Sequence, residues 1–451
     1  MLPPAWPTAT LRAWGRLDAV PQRVNRLSGA PAWPVLPPQG MRALPAGNGR
    51  SYGDSALNPG GALWLTRGLD RFIAFDAASG VLRAQAGVLL AEIIEVALPS
   101  GWFLPVTPGT RWVTLGGAVA NDVHGKNHHV MGSFGEHVRA LLLKRSDGSV
   151  RECSRLQHAD WLTATIGGLG LTGLIEEVEL QLLRVPGPCI RSEALPFDTL
   201  DQFFALADTS EAAHDYTVSW IDCLHGGAHA AAGAVRGVFF RGNHVAAEEA
   251  EQGAAALRPP HARTLPMTPP VSLVNRLSLR AFNTVYHRAQ VRRRGPRTTP
   301  LWPFFYPLDS VDGWNKLYGP RGFYQYQCVV PTAVQGAATD ALLRAIRVWG
   351  SGSFLAVLKT FADRPAAGLL SFPMAGTTLA LDFPNEGART LTLFETLDAI
   401  VADAGGRLYM AKDARMSRAM FRSGYPRHAE FAGYRDPLCA SGLSRRLLDD
   451  D

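Results

Sequence analysis

Residues Pro105–Val138 read PVTPGTRWVTLGGAVANDVHGKNHHVMGSFGEHV. At the centre, DVHGKNHH (Asp122–His129) sets three histidines, a lysine, an aspartate and an asparagine around one glycine. Metal ligation, a catalytic base with helpers, and a polar loop rich in histidine all fit such a cluster. Local spacing does not separate them, so the surrounding sequence must.

A chain of 451 residues is long for one domain and points to two or three. Apolar residues at 47% and charged residues at 19% supply material for buried cores, while 45 glycines and 32 prolines favour loops over a helical bundle. The five cysteines (Cys153, Cys189, Cys223, Cys328, Cys439) are scattered and never form C-x-x-C, which argues against a disulfide framework and a zinc site. The net charge of +6 is uneven, because HRAQVRRRGPR (His287–Arg297) holds five arginines. Phosphate, nucleic acid or an anionic membrane could meet such a cluster, as could solvent alone. No nucleic-acid module or aromatic interleaving accompanies it. The N-terminus lacks an apolar signal core and no run of 18 apolar residues occurs. A cytoplasmic protein is expected, touching a membrane at most from one side.

Along the chain, ALWLT and RFIAFD read as strands, and LLAEIIEVALPSG as a helix stopping at Pro99-Ser100-Gly101. HVRALLLKRSDGSVREC reads as a hairpin turning at Asp147-Gly148. Farther on, YTVSWIDCL, AVRGVFF, FYQYQCVVP and SFLAVLKTFA read as strands of one sheet, many with period-2 alternation. ALLRAIRVWGS and LTLFETLDAIVADAGG read as helices over it. LRPPHARTLPMTPP and the arginine segment read as irregular. The proline-rich PPAWP and APAWPVLPP read as extended N-terminal segments.

Three glycine loops stand out: GNGRSYGD (Gly47–Asp54), PGTRWVTLGGAVANDVHGKN (Pro108–Asn127) and GGLGLTGLI (Gly167–Ile175). Glycines let backbone approach a ligand closely and aim N–H groups at phosphate oxygens. None is a P-loop, and the G-x-G of the third precedes a strand, against a Rossmann fingerprint. An ordinary tight turn explains any one of them more easily than all three.

In order and spacing these loops resemble the FAD-binding domain of the vanillyl-alcohol-oxidase type of flavoprotein. More narrowly, GRSYGD, the Pro105–Val138 run and YMAKDAR (Tyr409–Arg415) resemble the family of the oxidase component of decaprenylphosphoryl-β-D-ribose 2-epimerase. The resemblance implies an α+β, two-domain fold of the PCMH type with an antiparallel-sheet substrate or cap domain. It places the FAD-binding domain at 1–188, the cap at 189–405, and a C-terminal segment returning to the active site at 406–451. Gly47, Asn48, Gly49, Arg50, Ser51, Tyr52, Gly53 and Asp54 match the loop around the cofactor pyrophosphate. Thr110, Gly116, Gly117 and Asn121 match the second strip, and Gly170, Thr172 and Ile175 the third. His124, Gly125, Asn127 and Lys412 are implied beside the flavin.

The resemblance also implies roles. Lys412, His124, Lys126 and Tyr52 become the catalytic candidates, and Gln325, Gln327, Lys359 and, more weakly, Tyr306 the substrate-binding ones. His128 and His129 become structural. A metal is not expected, since no cysteine or second histidine cluster completes a ligand set. The implied reaction is oxidation of a secondary sugar hydroxyl, such as the 2-hydroxyl of a polyprenyl-phosphoryl-β-D-ribose, by hydride transfer to FAD. A short-chain reductase would complete an epimerisation toward a cell-wall polysaccharide precursor. A lipid-linked anionic substrate would suit the arginine segment.

Two departures from the pattern matter. Where many flavin-linking relatives carry G-x-G-H-S, this chain has Arg50 in GNGRS, so non-covalent FAD is expected. Where mycobacterial members carry a reactive cysteine two residues before the DFP aspartate, this chain has Ala380. An aldonolactone or alditol oxidase passing electrons to oxygen is the rival enzyme, and Arg50 and AKDAR count against it. A flavin-carrying protein without catalysis is the rival from another class, and His124, Lys126 and Lys412 count against that.

Overall fold

The computed structural model describes residues 6–29, 35–246, 256–293 and 295–449. Much of the proline-rich N-terminal sequence, and Arg294 of the arginine segment, lie outside the described residues.

Thr8–Leu11, Val20–Arg26, Ala62–Leu65 and Ala43–Ala46 form, in that order, a four-stranded sheet whose last two pairings are parallel. A second, antiparallel sheet runs Phe72–Asp76, Val81–Gln85, Leu174–Gln181, Val138–Lys144, Val150–Ser154. The hairpin expected at Asp147-Gly148 closes its edge: Gly148 has φ +83°, a left-handed value that favours glycine. The helix Leu90–Ala97 buries Leu90, Ile93, Ile94 and Ala97, a one-sided stripe, and passes through a 3₁₀ turn to Gly101 at φ +79°. The proline–glycine stop therefore acts as its sequence implies.

The third sheet has eight antiparallel strands in the order Arg297–Pro300, Cys189–Thr199, Ala234–Val245, Tyr216–Asp222, Val357–Phe361, Gly376–Pro384, Phe323–Pro331, Arg407–Leu408. The helices Gln335–Trp349 and Ala388–Asp403 cover it, burying Leu342, Leu343 and Ile346 from the first and Leu393, Phe394 and Leu397 from the second. Alternation is weaker than period 2 in places. All of Tyr216–Asp222 but Val218 is buried, because this sheet has structure on both faces.

One expectation fails. The segment beginning at His287 is not irregular at its start, since Arg276–Val291 is a continuous helix. Asn275 caps it, its Oδ1 accepting from Leu277 N at 3.0 Å and Ser278 N at 3.1 Å. No glycine or proline lies between Asn275 and Val291, and only Leu279 and Asn283 are buried, too thin a stripe to announce a helix.

The C-terminal segment returns through the site. Tyr409 N donates to Gln327 O (2.9 Å), Tyr52 N to Ala411 O (3.1 Å), and Ala43 N to Leu438 O (2.8 Å). Arg446 bridges Asp54 and Asp413, both at 2.9 Å. One apolar core accordingly holds Leu44 and Trp64 together with Leu397, Met416 and Leu443.

Because the Asn275 cap satisfies two otherwise orphaned helix donors, Asn275→Ala should lower stability by about 1 kcal/mol. A denaturant titration reads this; an unmoved midpoint would mean that packing alone holds the helix.

Candidate active site

A cavity of about 1180 Å³ runs from the glycine loops to the eight-stranded sheet. Its first wall is backbone-rich. Gly47, Asn48, Gly49, Arg50, Ser51 and Tyr52 line it, as do Thr110, Gly116, Gly117 and Asn121, and Gly170 and Ile175 from the third loop. Its other wall carries side chains: His124, Gly125 and Lys126 from the histidine loop, then Gln325, Gln327, Lys359, Ala380, Asp382 and Lys412.

The glycines serve different ends. Gly49 (φ +62°) and Gly170 (φ +75°) need the left-handed region. Gly47 and Gly116 instead yield space to the protein itself. A Cβ on Gly47 would stand 2.3 Å from Thr114 Oγ1, and one on Gly116 2.7 Å from the Ala86 Cβ. Thr114 caps the short helix Leu115–Ala120 by accepting from Gly117 N, so the first two loops lock together before any ligand arrives.

Three polar atoms of residues lining this wall, Arg50 Nε, Ser55 Oγ and Asn121 Oδ1, are buried without a partner among the described residues. The Arg50 guanidinium lies over the Trp14 ring, 4.3 Å from its centroid. An elongated, glycine-walled cavity with an unspent guanidinium fits a dinucleotide with an anionic pyrophosphate. The residues present therefore fit FAD.

The sheet wall is built by register. Gln325 pairs with Asp382 and Gln327 with Ala380, so the side chains at 325, 327, 380 and 382 share one face. Gln325 Nε2 donates to Asp382 Oδ1 at 2.7 Å, leaving Gln325 Oε1 and Asp382 Oδ2 buried and, among the described residues, unpartnered. The Lys412 Nζ lies 3.9 Å from the centroid of the buried Tyr52 ring. Burial lowers the Lys412 pKa and raises that of Asp382, while each charge partly offsets the shift of the other.

His124 joins the two walls. Lys359 Nζ approaches its Nδ1 at 2.9 Å and Gln327 Nε2 its Nε2 at 3.0 Å, while Lys359 also donates to Gly125 O at 2.9 Å. Phe361, Tyr409 and Phe372 surround the imidazole at 4.9, 5.5 and 5.8 Å between centroids. Loss of hydration, then the charges of Lys359, His128 and Lys412, holds the His124 pKa well below its ordinary value. A neutral imidazole has one N–H and one lone pair, so it cannot accept at both nitrogens. Either Lys359 is neutral and accepts from Nδ1–H, or the Gln327 amide turns its oxygen toward Nε2–H. Burial, with the charges of Lys126 and Lys412, draws Lys359 down to about 7, which makes the first arrangement accessible near neutrality. Burial alone draws Lys126 to about 7; its ammonium sits 4.6 Å from the Phe304 ring centroid and donates to the Phe304 carbonyl.

Other sequence candidates lie beside the cavity rather than on it. Thr172 is fully buried, its hydroxyl 3.0 Å from that of Thr165. Asn127 Nδ2 donates to Pro105 O at 2.7 Å, bracing the histidine loop. Gly53 packs on Asp413, whose carbonyl oxygen would stand 1.8 Å from an added Cβ, and Asp54 pairs with Arg446. Tyr306 is buried, its hydroxyl 2.7 Å from Thr107 Oγ1. His129 Nε2 contacts His214 O at 2.7 Å, and the His128 ring packs 4.5 Å from Phe361. Asp382 is not among the sequence candidates; its DFP context was visible, but the register that sets it against Gln325 was not.

Lys359 gives up its proton near pH 7 in the folded chain and near 10.4 when unfolded. Between those values the unfolded chain holds the extra proton, so folding gains stability as pH rises. In the flavin-free protein, wild type should gain stability relative to Lys359→Met from pH 7 to about 10. Urea midpoints at each pH read the difference; a constant gap would mean that Lys359 titrates normally.

The comparisons with known proteins agree with this geometry. The FAD binding domain family matches residues 32–154. The chain is 35% identical over 417 residues to decaprenylphosphoryl-beta-D-ribose oxidase of Mycolicibacterium smegmatis, covering 90% of this chain and 89% of that protein. It is 34% identical to an uncharacterized protein from the mprA 5' region of Streptomyces coelicolor, over 80% of this chain and all of the other. L-gulonolactone oxidase of Mus musculus is 29% identical, over only 36% of this chain and 38% of its own. With likeness along nearly its whole length and a cavity that fits the cofactor, the chain belongs to the decaprenylphosphoryl-β-D-ribose oxidase family of FAD-dependent oxidoreductases.

Proposed function

We propose that this enzyme oxidises the 2-hydroxyl of a polyprenyl-phosphoryl-β-D-ribose or a close relative, and that a separate reductase completes the epimerisation. Residues 1–188 would hold the cofactor, 189–405 the substrate, and 406–451 would bring Lys412 between them. The observation that carries the reading is the single cavity joining the glycine loops to the Gln325–Asp382–Lys412 cluster.

Bound in the first wall, FAD supplies the hydride acceptor. The chain does the rest. Gln325 Oε1 and Asp382 Oδ2, buried and unpartnered among the described residues, are ready to accept from sugar hydroxyls and so orient the ring. Lys412 supplies positive charge where negative charge develops, and Asp382 keeps that lysine protonated against burial. Lys359, close to its neutral form, can take the hydroxyl proton, and the ammonium so formed is held by the Gly125 carbonyl and the His124 ring. Phe361, Phe372 and Tyr409 pack around His124 and fix the orientation of its ring toward Lys359.

Anaerobic mixing with a polyprenyl-phosphoryl ribose analogue should bleach the flavin absorbance, and free alditols or aldonolactones should not. Bleaching by the free sugars alone would move the enzyme to the lactone-oxidase reading. Lys412→Ala should slow the bleaching by roughly 10²–10³-fold, and Asp382→Asn less, as expected for removing one charge-stabilising group.

Arg50 cannot form the bond to flavin that a histidine forms in flavin-linking relatives. Acid precipitation should therefore leave the yellow colour in the supernatant. Colour retained in the pellet would refute non-covalent binding.

A further inference from the structure

The helix Arg276–Val291 carries two adjacent stripes at four-residue spacing. One is apolar (Leu277, Ala281, Val285, Ala289) and the other basic (Arg276, Arg280, Arg288, with Thr284 interrupting it and Arg292 one step beyond). The apolar stripe faces outward: Leu277 is 79% and Val285 68% exposed. Met267, Val271 and Leu273, just before it in the chain, are exposed as well. Six of the sixteen exposed large apolar side chains among the described residues fall within Met267–Val285. Such a concentration marks an interaction surface rather than scattered exposure.

The charge around it is one-sided. From Gln252 to Leu308 the chain has nine arginines and no aspartate or glutamate. With a whole-chain charge of +6, everything outside that stretch is net negative. The helix is also held firmly in this orientation. Leu279 is buried, Asn283 Nδ2 donates to Asp222 Oδ1 at 2.7 Å, and Tyr286 packs 4.8 Å from the Trp220 ring. Leu277 and Val285 cannot turn inward without breaking those contacts. Tyr286, Gln290 and Arg293 of the same segment line the large cavity, so this face borders the active site.

We propose that this face docks on the anionic phospholipid surface of a bilayer, with the apolar stripe at the acyl boundary and the arginines on the phosphates. An interfacial helix needs this pairing of apolar stripe and basic flank. A second copy of the chain fits poorly, because a two-fold interface would set this arginine face against itself. Docking extends the proposed function by letting a lipid-linked sugar pass from the bilayer into the cavity, and it rests on that reading only for the identity of what enters.

Co-sedimentation of the full-length holoenzyme with vesicles, in the absence of substrate, tests it. Phosphatidylglycerol-containing vesicles should bind the enzyme, pure phosphatidylcholine vesicles should bind it much less, and added salt should weaken the binding. Arg280→Gln/Arg288→Gln should weaken binding by roughly tenfold or more, and Leu277→Ser/Val285→Ser should also weaken it. Neither pair lines the cavity, so flavin reduction by a detergent-dispersed substrate analogue should stay unchanged. Equal binding by wild type and both variants, or no binding by wild type, would overturn the proposal. So would variants that change the oligomeric state without lipid, which would assign the face to a second copy. Failure of the analogue to bleach wild type would count against the substrate reading alone.

Discussion

Three half-buried lysines, Lys126, Lys359 and Lys412, line one cavity, and the geometry of the site follows from the need to hold them there. Each ammonium loses hydration, and Lys359 also feels the other two. Like charges in a dry setting repel strongly and survive only when partners are placed for them. The chain supplies those partners piecemeal: the Phe304 carbonyl and ring, the Gly125 carbonyl and His124, and the charge of Asp382. Among the described residues lining the cavity, six cations (Arg50, Lys126, Arg293, Arg297, Lys359, Lys412) outnumber four carboxylates (Glu193, Asp309, Asp312, Asp382), which leaves the pocket attractive to anions. Binding an anionic cofactor and a phosphate-linked sugar would relieve the repulsion, so part of the binding energy is stored in the fold itself.

Holding those lysines draws on distant parts of the chain. Lys126 comes from a loop after the first glycine strips, Lys359 from the middle of the large sheet, and Lys412 from the returning C-terminal segment. The last is fixed most elaborately. Its neighbours bond to Gln327 and Tyr52 through the backbone, and Asp413 shares Arg446 with Asp54. The bare Gly53 allows the close approach, since any side chain there would strike the Asp413 carbonyl. A conspicuous motif glycine thus serves chain-to-chain packing. The same holds for Gly47 and Gly116, whose missing side chains make room for Thr114 and Ala86.

This explains what was legible in the sequence. Motif residues are local, and the glycine strips, the histidine loop and YMAKDAR could be recognised and did converge on one cavity. The hairpin at Asp147-Gly148 and the helix ending at Gly101 were legible because turn chemistry announces them. Asp382 was not, because its role depends on the pairing that sets it across from Gln325. The helix from Arg276 was hidden for another reason. Its buried face is two residues wide and one of them is asparagine, so hydrophobic periodicity had almost nothing to report. Thr172, Asn127 and Tyr306 carry motif-like context yet face inward, where each satisfies a neighbour's hydrogen bond.

Arg50 shows how one substitution redirects the cofactor strategy. At the position where flavin-linking relatives use a nucleophilic imidazole, this chain has a group that stays protonated and cannot bond to carbon. Trp14 holds the guanidinium by its ring face, and the buried Nε has no partner among the described residues. A planar, pre-positioned cation with unspent donors is suited to phosphate oxygens, where two parallel hydrogen bonds add direction to charge. The cofactor would then be retained by the sum of that contact, the locked glycine strips and the lysine-rich pocket beyond them. Retention without a covalent bond would leave the flavin's reactivity to the side chains that line the cavity, the three lysines and Asp382 among them.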